Sequence, residues 1–270
     1  MIALERFSIV GPVGRISGLR RTCGEPTAPV VFVHHINGAA EQWSGVIDAL
    51  PGRSSVAVDL RGHGHSESGG TYGAGDYAAD VAAAMAGLGI PRAHLVGASF
   101  GGGVCVTLAA VEPARVESVV VVGGALRAAD PANADAAVAD LHRLGPIAFF
   151  EMAAEMSFAP DTEAELLSDA VRLAAHRDIG TVENVIRAAF SADVSAAAER
   201  VSVPALVLTG EYDQTCPPGH GAALATALGA ECRVLPGRGH LAHIEDPVLI
   251  ARLLDEQLRR TEPLGGTPVG

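Results

Sequence analysis

The chain has 270 residues, 49% hydrophobic and 19% charged, which excludes a disordered chain and allows one large core plus an insertion. A formal net charge of −12 sets it against polyanions, so neither nucleic acid nor an anionic membrane surface is an expected partner. No apolar run reaches transmembrane length, and Met1 leads into Glu5 and Arg6 rather than into a secretory signal.

Four cysteines, Cys23, Cys105, Cys216 and Cys232, are scattered without C-x-x-C spacing. The expectation is a cytoplasmic protein with reduced thiols, in which Cys105 serves as a small buried apolar residue. Abundant alanine and glycine, with aromatics at only 4%, fit a GC-rich bacterial coding sequence.

Residues 2–10 and 13–21 read as two short strands joined around Gly11-Pro12, an antiparallel hairpin. Val30-Val31-Phe32-Val33 is an unbroken apolar run, the mark of a strand buried on both faces, and it breaks into His34-His35-Ile36-Asn37-Gly38. Trp43, Val46, Ile47 and Leu50 recur at helical spacing and predict a helix over 39–50. A strand over 55–58 ends at Asp59, and an Ala-rich helix over 74–88 is stopped by Gly89 and Pro91.

A short apolar run, Leu95-Val96, then enters Gly97-Ala98-Ser99-Phe100-Gly101, followed at once by a helix-compatible stretch over 104–110. Strand, tight turn and helix are the context in which G-x-S-x-G marks an exposed nucleophile. Bulky neighbours would collide with the strand or the helix, so the strained serine needs glycine on both sides. A strand over 116–122 follows.

From about 125 to 200 there is only helical pattern, in pieces at 133–144, 147–157, 163–175 and 181–190. That is too long for one crossover between strands of a parallel sheet, and it reads as a helical lid over the sheet's C-terminal edge, where ligands bind. Strands at 204–208 and 232–235 resume the alternation, each followed by a predicted helix, at 218–228 and 246–260. Strands alternating with helices give right-handed crossovers and a mostly parallel sheet. Residues 263–270 read as a disordered tail.

Serine alone is a poor nucleophile and needs a base, which needs an orienting acid. Two loops after later strands qualify: Gly210-Glu211-Tyr212-Asp213 and Pro236-Gly237-Arg238-Gly239-His240. Glu211 competes with Asp213 for the acid, and His243 competes with His240 for the base. Gly239 before His240, and Glu245-Asp246-Pro247 opening a helix after His243, favour His240. His63 and His65 have H-x-H spacing, but no third metal ligand is evident.

Four motifs taken in order resemble the α/β-hydrolase family: the loop after 30–33, Asp59-Leu60-Arg61-Gly62-His63-Gly64-His65-Ser66, the Ser99 turn, and Gly239-His240. The resemblance runs from the first strand to the last helix. It implies an α/β-hydrolase fold, a mostly parallel sheet flanked by helices. The core would span 1–124 and 201–262, and the lid (cap), at 125–200, would be inserted before the acid-bearing strand. It implies Ser99 as nucleophile, His240 as general base and then acid, and Asp213, by the family's G-x-x-D pattern, as the orienting carboxylate. The backbone N–H groups of Phe100 and Ile36 would form the oxyanion hole.

Within the family the chain resembles the esterase, enol-lactonase and cofactor-free haloperoxidase-like branch. A small carboxylic ester or lactone is then the expected substrate, with no cofactor and no metal. The alternatives are a carbon–carbon bond hydrolase, a cofactor-free oxygenase, or a ligand sensor that keeps the triad. One departure stands out. Many relatives read His-Gly where this chain reads His34-His35, with His34 in the family's structural position. His35 is therefore a candidate pocket residue, its imidazole either lining the site or turned outward.

Overall fold

β1 (Glu5–Val10) and β2 (Arg15–Arg21) form the predicted antiparallel hairpin, with Phe7 opposite Gly18. The chain is described here by a computed structural model at residues 3–24, 27–50, 52–128 and 133–261. The tail expected at 263–270 lies outside the described residues. β3 (Val30–Val33), β4 (Ser55–Val58), β5 (Ala93–Ala98), β6 (Val116–Val122), β7 (Ala205–Gly210) and β8 (Glu231–Leu235) complete one sheet of eight strands. Its order is β1-β2-β4-β3-β5-β6-β7-β8. β2 pairs antiparallel with β4, and every pair from β4 onward is parallel.

The central strands are apolar on both faces because both faces are covered. Alternate residues of β3 feed different layers, as a period of two requires. Val31 and Val33 join the core under α2 (Ala74–Gly87) and α3 (Phe100–Val111), with Tyr77, Val104 and Leu108. Val30 and Phe32 join the opposite layer with Trp43, Val46, Ile47, Ile250 and Leu254. That second layer is built by α1 (Ser44–Ala49) and the C-terminal helix.

The helix expected over 39–50 is divided. A 3-10 turn, Ala40–Trp43, precedes α1, because Asp59 Oδ1 accepts from Ala40 N at 2.8 Å and Gln42 Oε1 from Ala39 N at 3.1 Å. These side-chain acceptors fix the entry to the helix and set its first turn apart.

Between β6 and β7 lie α4 (Asn133–Leu144), α5 (Pro146–Ser157), α6 (Ala164–Ala175), α7 (Ile179–Phe190) and the single turn α8 (Ser195–Ala198). Helices α4 to α7 have a small core of their own, in which Val138, Leu141, Phe149, Phe150, Val182 and Ile186 meet. After β7 come α9 (Pro218–Leu228) and, beyond β8, α10 (Ala242–Glu245) and α11 (Pro247–Thr261). No helix among the described residues is long and apolar enough to cross a membrane.

The loop after β4 is tied to α2 by a buried bidentate ion pair. Arg61 Nε donates to Asp80 Oδ2 at 2.6 Å and Nη2 to Oδ1 at 2.7 Å. Asp80→Asn leaves the buried guanidinium against a neutral amide, and breaking such a pair costs about 3–5 kcal/mol. Urea unfolding of the variant should show a loss of that size, with an unchanged denaturant slope.

Candidate active site

β5 ends one residue before α3 begins, and Ser99 makes the turn alone, at φ 51° and ψ −122°. This left-handed backbone is strained for a residue with a side chain. It persists because the flanks leave no room for alternatives. A Cβ on Gly97 would sit 2.3 Å from Gly101 O. A Cβ on Gly101 would sit 2.4 Å from His34 O and 2.5 Å from Val33 O. Ser99 N donates to Val122 O at 2.8 Å, pinning the turn to β6.

The same crossing brings the loop after β3 against the start of α3. Neither Ile36 N–H nor Phe100 N–H has a hydrogen-bond acceptor among the described residues, and both residues line a cavity with Ser99. Asn37, next to Ile36, is left-handed at φ 65°. It is held by Asn37 N donating to His63 Nε2 at 3.2 Å and by Arg177 Nη1 donating to its Oδ1 at 2.6 Å.

β7 and β8 are parallel neighbours, so their C-terminal loops lie side by side. Asp213 and His240 meet there, with Nδ1 2.9 Å from Oδ2 and both side chains buried. A carboxylate can only accept, so Nδ1 carries a proton, and in the neutral ring Nε2 is then the acceptor. The other oxygen, Asp213 Oδ1, accepts from Cys216 N at 2.6 Å. Glu211 is used elsewhere: its Oε2 accepts from Gly237 N at 2.8 Å and holds the turn after β8.

Gly123, at φ 65°, lies beneath the pair, where a Cβ would stand 3.0 Å from His240 Nδ1 and 3.4 Å from Asp213 Oδ2. Sequence reasoning passed over it, although a Gly-Gly ending an apolar strand was the available signal. Glu245, read from the sequence only as part of a helix opening, has a role there too. Its carboxylate accepts from Gly239 N at 2.8 Å and Ala159 N at 2.7 Å, tying the His240 loop to the end of α5.

Ser99 and His240 face one cavity of about 470 Å³, walled by Phe149, Phe150, Met156 and Phe158 from the inserted helices. Ser99 Oγ makes no hydrogen bond among the described residues, and His240 Nε2 is likewise open. In free enzymes such bonds are often long and tighten only with substrate in place.

Four further histidines surround this edge. His34 Nδ1 donates to His35 O at 2.7 Å while its Nε2 accepts from Leu60 N at 3.0 Å, so it is neutral and fully used; burial lowers its pKa to about 4. His63 is equally committed, to Arg61 O and Asn37 N, and burial holds it well below the ordinary histidine range. Its H-x-H partner His65 is exposed. Among the described residues no group of three or more His, Cys, Asp or Glu converges as metal ligands would.

His35 lines the large cavity beside Ile36 and Ser99, with its Nδ1 buried and unpartnered. Burial, then the neighbouring His243, keeps it well below the usual value. His243 stacks on Trp43 at 4.3 Å and lies edge-on to His35 at 5.8 Å, and neither of its ring nitrogens has a partner.

The chain matches the model of the alpha/beta hydrolase fold over residues 28–247, and it belongs to that family, a superfamily of enzymes. It is 30% identical over 251 residues to the 2-succinyl-6-hydroxy-2,4-cyclohexadiene-1-carboxylate synthase of Escherichia coli O1:K1, covering 87% of this chain and 96% of that one. Among solved structures it resembles the enol-lactonase from Burkholderia xenovorans LB400, with 27% identity and a TM-score of 0.85 over 94% of this chain and 100% of that one. A thermophilic esterase from Thermogutta terrifontis shares the fold at 23% identity and a TM-score of 0.83, covering 96% of this chain and all (100%) of its own.

Burial lowers the pKa of His243 to about 3, so its proton binds the unfolded chain more tightly. The resulting stability is complete above the ordinary histidine value of about 6.5 and is lost as pH falls from there toward the folded value. In His243→Phe the ring stack survives and two orphaned nitrogens disappear. Stability at pH 7.5 should be equal or higher. The acid loss between pH 6 and pH 4 should shrink by up to about 1.4 kcal/mol per pH unit against the parent chain in paired urea titrations.

Proposed function

We propose that the chain is a serine hydrolase of small carboxylic esters or lactones, working through an acyl-enzyme. The observation that carries this reading is the Asp213–His240 pair, 2.9 Å apart with Nε2 free, facing the same cavity as the strained Ser99. Ser99 Oγ attacks the carbonyl carbon as its proton passes to His240 Nε2. Asp213 fixes the tautomer and stabilises the imidazolium that forms. The Ile36 and Phe100 N–H groups receive the oxyanion, a type of donor worth about 10²–10³ in kcat. His35 lines the pocket beside that site, and the helices of 125–200 act as the lid that walls it. The reaction draws on side chains and backbone alone, so no cofactor or metal enters it. The four free thiols suit a reducing, cytoplasmic setting.

A second reading is favoured by the 30% identity to the E. coli synthase: chemistry that forms a cyclohexadiene carboxylate, with the same serine and histidine handling protons. The two are separated by a panel of esters and lactones run beside an assay for the formation of that cyclohexadiene carboxylate. On the first reading a fluorophosphonate labels the protein once, at Ser99. Ser99→Ala then abolishes labelling and lowers ester turnover by several orders of magnitude. Asp213→Asn should lower kcat by about 10⁴, through the wrong imidazole tautomer, with the fold intact by circular dichroism. Undiminished ester turnover in Ser99→Ala would exclude an acyl-enzyme.

A further inference from the structure

Two cavities meet at Ser99. The larger, of about 470 Å³, holds His240 and His35 and runs beneath α4 and α5. The smaller, of about 210 Å³, runs the other way along α3, past Phe100, Gly103, Leu126, Val194 and Cys216. Ile36, Ser99, Ala189, Phe190 and Thr215 border both. The small arm is mostly apolar, and the Cys216 thiol within it stays neutral because burial pushes its pKa up to about 12. His240 lines the large arm and not the small one.

That asymmetry gives the two arms different chemistry. When Ser99 Oγ bonds to the carbonyl carbon, its proton moves to His240 Nε2. The carbon–oxygen bond to the leaving group then breaks, and the departing oxygen takes that proton from Nε2. The leaving oxygen must therefore lie on the His240 side, while the acyl carbon chain points away from it. Water then adds to the acyl carbon and gives its proton to Nε2, which returns it to Ser99 as the carboxylic acid leaves.

Resting on the acyl-enzyme reading above, we propose that the small arm along α3 receives the acyl chain and the large arm under the inserted helices receives the leaving group. The substrate class is a short, apolar acyl group joined to a bulkier apolar alcohol or enol. Gly103 sets the depth of the acyl arm. A Cβ there would meet only Val194, at 3.4 and 3.9 Å, so a side chain can grow into the arm without striking backbone.

The test is a matrix of kcat/KM values. One axis is the 1-naphthyl esters of acetate, butanoate and hexanoate; the other is the acetates of ethanol, hexanol and 1-naphthol. The parent chain should favour the short acyl groups and tolerate the large alcohols. Gly103→Leu should raise the acetyl-over-hexanoyl ratio about tenfold or more, the scale on which a pocket rejects extra methylenes. It should leave the ratios among the alcohols within about twofold. Ala153→Phe, in the wall of the large arm, should do the reverse. Thermal melts of both variants show that each is folded.

If Gly103→Leu shifts the alcohol ratios instead, the arms are assigned the wrong way round. If it shifts neither set, the small cavity does not take substrate, and the proposal is overturned. Failure of the underlying reading looks different: the parent chain then hydrolyses no ester and Ser99 takes no fluorophosphonate.

Discussion

One crowded crossing governs this structure. The backbone of β3 passes so close to the start of α3 that Gly101 has no room for a Cβ against the carbonyls of Val33 and His34. Gly97 is closed off in turn by the first turn of the helix it precedes. The strand-to-helix reversal must therefore be made by Ser99 alone, in a backbone region that costs about 1–3 kcal/mol for a residue with a side chain. The contact that forces the strain also sets distances. It holds the loop carrying Ile36 N–H against the helix carrying Phe100 N–H, so two free donors and one hydroxyl are fixed relative to each other by main-chain packing. Side-chain rotamers have little to do with it.

The polar groups packed behind that crossing are there to hold its loops. Asp59 accepts from Ala40 N, His65 N and Arg6 Nη1, and Ser66 Oγ donates to the Asp59 carbonyl at 2.6 Å. Gly64 is left-handed at φ 51°, with the Asp59 carboxylate where a Cβ would be. The D-x-R-G-x-G-x-S stretch thus folds around its own first carboxylate, and its Arg61 reaches Asp80. His34 and His63 close the circuit with backbone partners at both nitrogens, so their burial is compensated by hydrogen bonds. His35 and His243 differ: both retain buried nitrogens without partners, His35 in the cavity wall and His243 behind it against Trp43.

What could be read from the sequence follows from the range of each signal. β3 and β6 were legible because unbroken apolar runs have only one comfortable home, the middle of a covered parallel sheet. The inserted helices were legible from period, and their starts at Pro146, Ala164 and Ile179 differ from the pattern by one or two residues, as frayed ends do. Placing the loops of Ser99, Asp213 and His240 at one sheet edge needed only the rule that parallel strands end together, whereas preferring Asp213 to Glu211 rested on the family's G-x-x-D pattern. The divided helix near 40 was not legible, because one of the two acceptors that set it apart, Asp59, comes from the next strand's end. Nor were Glu245 and Arg177, whose partners Ala159 and Asn37 are 86 and 140 positions away. Such contacts leave no periodic or local trace; they exist only once the inserted helices have docked.

Those two contacts also explain how the insertion bears on the site. Near His240 the apolar contact is made by Ala154, Phe158 and Leu241, with Leu166, Leu167, Ala170, Val171 and Ile244 packed against them, and Val185 of α7 joins the core beside the sheet. The seat is completed by directional bonds on either side of the cavity: Glu245 to Ala159 N on the His240 side, and Arg177 to Gly62 O and Asn37 on the Ile36 side. Arg177 reaches in with its Nη2 unpartnered among the described residues, and desolvation lowers its pKa to about 10. A buried charge held by carbonyl oxygens alone is costly, so this seat fixes position more than it adds stability. The walls of the large cavity can therefore change with the inserted helices while the crossing at Ser99 stays as it is. Such a division of labour leaves the chemistry to be decided in the pocket and not by the fold.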